Sequence, residues 1–132
     1  FDLYQYDKQI THLSSQLHEL NVLFYWSNKN ESYALHIHSK VNELRLKYPE
    51  INFIGINLDN PKSNVWSETS EKFGFLKSSE FQLVNNQSIS KQLALRNDNR
   101  SMVVASGLTI LDPNINLFHY QIETTLLGYL SR

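Results

Sequence analysis

Five histidines are spread along the 132-residue chain, and no cysteine is present. Zero cysteine excludes disulfides and every reaction that needs a thiolate, because the one remaining sulfur residue, Met102, is a thioether. His36 and His38 lie two apart on a segment with helical periodicity. That spacing points them about 200° apart around a helix axis, so one helix cannot offer both to one metal ion. Exposed or partly packed histidine is the alternative reading of both, and His12 and His18 fall off the apolar stripe of their own segment. Tyr33, His36 and Asp59 are the residues that general acid–base chemistry would have to use. No Ser/His/Asp spacing, phosphate loop or metal-ligand cluster accompanies them. For Asp59, which precedes Asn60-Pro61, turn formation is the simpler role. The triplets Asn30-Glu31-Ser32, Asn86-Gln87-Ser88 and Asn99-Arg100-Ser101 match the N-glycosylation pattern, which a chain this rich in Asn and Ser also produces by chance.

The elements that must position these groups begin with residues 22–26. Val22-Leu23-Phe24-Tyr25-Trp26 is a continuous aliphatic and aromatic run, which suits a central strand covered on both faces. Ser27-Asn28-Lys29-Asn30 then supplies turn and capping side chains, and a helix starts near Ser32. Ala34, Ile37, Val41, Leu44 and Tyr48 keep a 3-4-3-4 spacing up to Pro49. Residues 51–59 form a second strand that is apolar on both faces, so a βαβ unit with a parallel pair follows. Gly55 inside that strand points to the close approach of a neighbouring element. Ser63 is placed to cap a helix carrying Val65, Trp66, Thr69 and Phe73 and ending at Gly74.

Elsewhere the patterns are weaker. Ile10, Leu13, Leu17 and Leu20 predict a covering helix over residues 7–19. Residues 80–84 read as a short edge strand, 88–96 as a weakly helical stretch and 97–100 as a polar loop. Residues 108–112 and 115–120, joined by Pro113-Asn114, read as an antiparallel hairpin, and 122–132 as a closing helix.

A strand entering its turn through Phe24-Tyr25-Trp26 resembles the start of the thioredoxin fold, most closely its TlpA-like and peroxiredoxin-like branch. The element order, Asp59 closing the second strand, the Trp-bearing helix after it and Leu111-Asp112-Pro113-Asn114 extend that resemblance along the chain. It implies an α/β fold, a thioredoxin-like three-layer α/β/α sandwich with a mixed central sheet, in one domain over residues 1–132. In that family a Cys-x-x-Cys follows the Trp by four and seven residues; here those positions hold Asn30 and Tyr33. The family also places a cis-proline before the first hairpin strand, a slot assigned here to Ser106-Gly107 and expected to be trans, since a non-proline cis bond costs about 2.5–4 kcal/mol. Both halves of the redox site are therefore missing. What the resemblance leaves is a vestigial site at Trp26, Asn30, Tyr33, Met102 and Ser106.

Three readings follow. The first is a redox-inactive module that binds a protein or peptide, or serves as a structural domain of a larger bacterial protein. The second is an enzyme of non-thiol chemistry on the same fold, and the third a different α/β sandwich. A net charge of −1 with interspersed lysines and arginines gives no footprint for nucleic acid. No apolar run approaches the ~20 residues of a membrane-spanning helix. No cofactor or metal is expected. The chain begins at Phe1 rather than Met, which predicts a segment of a longer chain, and the resemblance implies an extracytoplasmic, periplasmic setting.

Overall fold

The computed structural model describes residues 2–60, 64–84 and 101–131. Its elements are β1 (Asp2–Tyr4), β2 (Ile10–His12), β3 (Leu20–Trp26), α1 (Glu31–Lys47), β4 (Asn52–Asn57), α2 (Val65–Phe73), β5 (Glu80–Leu83), β6 (Ser101–Ala105), β7 (Ile110–Ile115) and α3 (Ile122–Leu130). The strands form one mixed sheet in the order β2-β1-β5-β4-β3-β6-β7.

β3 is buried along its whole length, as its unbroken apolar run requires. It pairs in parallel with β4, from Asn21 opposite Asn52 to Trp26 opposite Asn57, and antiparallel with β6. Because strand side chains alternate between faces, Leu20, Val22, Phe24 and Trp26 meet the α1 stripe of Ala34, Ile37, Val41 and Leu44. Leu23 and Tyr25 instead join Leu3, Leu13, Ile54, Ile56, Phe81 and Leu83 in a second apolar cluster on the other face. The steps from β3 to β4 to β5 run in one direction across the sheet. Right-handed crossovers therefore lay α1 and α2 over the same face, where Trp66 of α2 and Ile122 and Leu126 of α3 share the first cluster. α1 stops at Tyr48, before Pro49, and α2 ends on Gly74, whose φ of 68° is the left-handed geometry glycine tolerates. Asn64 is the residue at the amino end of α2; the capping expected of Ser63 lies outside the described residues.

Three expectations are corrected. Residues 7–19 do not form a helix: β1 and β2 make an antiparallel hairpin, followed by a short 3-10 turn, Leu13–Gln16. Leu13 and Leu20 are buried there, but Ile10 is more than half exposed, so the 3-4-3 spacing comes from four successive segments and not from one stripe. Thr11, His12, Ser14, Ser15 and His18 are poor helix formers that offer nothing to hold such a helix. The hairpin is anchored through Tyr6, whose hydroxyl donates to Glu71 Oε1 at 2.8 Å and contacts the Ser67 carbonyl at 3.2 Å. Burial and the Glu71 acceptor push that phenol up to about 12.

β5 is not an edge strand either. β1 pairs with it on its outer side, Leu3 opposite Leu83 and Tyr4 opposite Gln82, and β4 pairs on the inner side. Its polar residues, Glu80 and Gln82, are buried and hydrogen-bonded. The C-terminal hairpin is shifted as well. Its strands are β6 and β7, joined through Gly107 and Leu108 at positive φ, and Pro113 lies inside β7 rather than in the turn. β7 is the last strand of the sheet, and an edge tolerates the missing proline N–H. Residues 116–121 turn back towards α3. The readings of 88–96 as weakly helical and 97–100 as a loop lie outside the described residues.

Candidate functional site

In open α/β sheets the carboxyl ends of the parallel strands are where sites form. Here Trp26 ends β3, Asn57 ends β4 and Gln82 nears the end of β5. The loop from Ser27 to Asn30 crosses this edge into α1. Asp59 gathers it: its carboxylate accepts from Ser27 Oγ at 2.6 Å, the Asn28 N–H at 2.8 Å and Asn57 Nδ2 at 2.9 Å. Asn57 Oδ1 in turn accepts from the Asp59 N–H and from Gln82 Nε2. Thr69 of α2 donates to Asn28 Oδ1 at 2.6 Å. Asp59 is 8% exposed and several neutral donors fix its oxygens, so it is a staple for the loop rather than a free base.

Asn30 is the N-cap of α1, with Oδ1 accepting from the Tyr33 N–H at 3.1 Å. Asn30 is exposed and Tyr33 half-buried, its ring meeting Phe118 edge-on at 6.2 Å. An open groove of about 480 Å³ beside them is lined by Tyr33, His36, Ser39, Lys40, Glu43 and Phe118. The two residues at the family cysteine positions are thus neighbours in space, one helical turn apart.

The other expected site residues are not gathered there. Trp26 is buried with its side chain directed into the core, where Nε1 donates to Glu80 Oε1 at 2.9 Å. Met102 of β6 lies opposite Leu23 and belongs to the cluster on the sheet face away from α1. Ser106 follows Ala105, which pairs with Leu20. That places it at the amino end of β3, about 20 Å of strand from Trp26. Since β6 is the first strand of the hairpin, the position just before that strand falls ahead of Ser101, outside the described residues, and Ser106-Gly107 is the hairpin turn instead. None of the described peptide bonds is cis.

A polar cluster that sequence reasoning missed lies under this edge. Glu80 is fully buried; besides Trp26 it meets His38, whose Nε2 is 2.9 Å from Oε2. His38 Nδ1 lies 2.7 Å from the Ala34 carbonyl oxygen, and its ring stacks on Phe75 at 3.5 Å between centroids. Gly55 makes this possible. A Cβ there would stand 2.5 Å from Glu80 Oε2 and 2.8 Å from Phe24 Cζ. The strand glycine was the one signal in the sequence of this close approach; the identity of the approaching side chain was not. His36 is exposed and His38 buried, which matches their divergence on α1. Among the described residues no three His, Asp or Glu side chains are placed to hold a metal, and no helix is long and apolar enough to cross a membrane.

No protein-family model matches the sequence, and comparison with curated proteins finds no match. Solved structures do match. A protein from Bacteroides vulgatus assigned as a thiol-disulfide oxidoreductase superposes with a TM-score of 0.79 at 12% identity, covering 99% of this chain and 86% of its own. The chain has a thioredoxin-like fold. A thiol-disulfide oxidoreductase from Bacteroides fragilis gives 0.71 at 16% identity over 98% of this chain and 96% of its own. A thioredoxin-like protein from Aeropyrum pernix gives 0.66 at 15%, over 97% and 88%. Identities this low carry the fold alone. This chain has that fold and no cysteine.

Proposed function

We propose that this chain is a redox-inactive thioredoxin-like domain that serves as a protein- or peptide-binding or structural module of a larger bacterial protein. The observation that carries the reading is the content of the α1 start. Asn30 uses its amide oxygen to cap the helix, Tyr33 packs on Phe118, and the loop before them is tied to Asp59. Disulfide exchange needs a thiolate attacker, which neither an amide nor a phenol replaces. The residues that remain suit contact rather than turnover: an aromatic pair, Tyr33 and Phe118, beside the Lys40–Glu43 ion pair in an open groove. Tyr33 and His36 share that groove, whereas Asp59 is committed to the Ser27–Asn28 loop, so the three candidates for acid–base chemistry do not act on one point. The test is insulin disulfide reduction by the pure chain in dithiothreitol and in glutathione buffers. No rate above the buffer alone is expected; protein-dependent reduction overturns the reading.

A further inference from the structure

The His38–Glu80 contact is enclosed on every side by the core, with relative exposures of 4% and 0%. Its proton count follows from its hydrogen bonds. The Ala34 carbonyl can only accept, so His38 Nδ1 carries a hydrogen. Trp26 Nε1–H can only donate, so Glu80 Oε1 accepts. The last contact, His38 Nε2 to Glu80 Oε2 at 2.9 Å, is a hydrogen bond when a single proton lies between the two atoms. With none, two lone pairs face each other in a dry core; with two, donor meets donor. Either as imidazolium and carboxylate or as imidazole and carboxylic acid, the pair is neutral overall, which is what a site this buried demands.

Among the described residues, the groups around it supply no alternative counter-charge at contact distance. β3 contributes Trp26 and Phe24, β4 contributes Gly55, and the segment after α2 contributes Phe75, none of which titrates. From α1, Arg45 acts on Glu80 only through its field, since its guanidinium bonds the Phe53 carbonyl and Asn42. That field favours the carboxylate form.

We propose that His38 and Glu80 make this domain pH-responsive: the folded pair retains one shared proton, so that folding takes up a proton in neutral and mildly alkaline solution. In the unfolded chain a glutamate and a histidine together hold two protons below about pH 4.3, one between about 4.3 and 6.5, and none above. Folded holds one. Above about 6.5 the folded state therefore binds more protons than the unfolded state, and stability falls as pH rises; below about 4.3 the unfolded state binds more, and stability falls as pH drops. The contribution of this pair to stability is greatest in the mildly acidic interval between.

The experiment is urea unfolding of the wild type and of Glu80→Gln between pH 6.5 and 8.5. Glutamine keeps the shape and both contacts, its oxygen accepting from Trp26 and its N–H donating to a neutral His38, so the variant has no proton to take up. The unfolding constant of the wild type should climb about tenfold more per pH unit than that of the variant. Parallel profiles overturn the proposal. A second measurement needs no variant: the His38 ring resonances should stay unchanged across this range. His38 ring resonances that move with pH across this range overturn it equally.

Discussion

Asp59 and Glu80 are buried carboxylates, one just past the end of β4 and one in the adjacent β5, and they are held in different ways. Asp59 stands just beyond β4, at the rim, and takes its bonds from a hydroxyl, a backbone N–H and an amide. Two of those donors, Ser27 and Asn28, belong to the loop into α1, which Asp59 therefore binds to the end of β4. Glu80 opens β5 under α1 and takes its bonds from an indole N–H and an imidazole that come from β3 and α1. One acid fixes a turn; the other ties three elements across the core. The two acids differ in reach: Asp59 organises the loop at the rim, whereas Glu80 joins β3, β5 and α1 beneath it.

Breaking each acid tests that contrast. Glu80→Ala should have the largest effect, because it leaves His38 and Trp26 Nε1 buried without their partner; a loss of about 3–5 kcal/mol is expected in urea denaturation at pH 6. Asp59→Ala should cost less, about 1.5–3 kcal/mol, since Ser27 and Asn28 lie close enough to the surface for water to replace part of what is lost. The order matters more than either value. If Asp59→Ala proved the more damaging, the rim would be the stronger of the two networks and the contrast would be inverted.

The parts of this fold legible in the sequence are those where one element supplies its own pattern. The run from Val22 to Trp26, the α1 stripe and the strand containing Gly55 each carry a period or an unbroken apolar stretch, and together they yield the βαβ unit. β1 and β6 are placed instead by pairing with strands distant in sequence, β5 and β3. Ile10, Leu13, Leu17 and Leu20 mimic a helical stripe although a hairpin strand, a 3-10 turn, a loop and β3 supply them in turn. Ser101 to Ala105 is too short to declare itself, and Pro113 drew the turn to the wrong end of the hairpin. Met102 and Ser106 were misplaced for the same reason. At the site, Asn30 and Tyr33 could be located because they follow Trp26 directly in sequence. Glu80 and His38 could not, because their meeting spans 42 residues and depends on the space at Gly55.

If positions 30 and 33 are the vestige of a thioredoxin-like redox site, their geometry should support the chemistry they lack. An Asn30→Cys, Tyr33→Cys double variant tests this most directly, since the two positions already lie one helical turn apart at the start of α1. A disulfide needs Cα atoms within about 7 Å, and a helix amino terminus favours the thiolate at position 30. The variant, mildly oxidised and followed by mass and alkylation, should form an intramolecular disulfide. Two thiols that remain independently reactive and never pair would contradict the account.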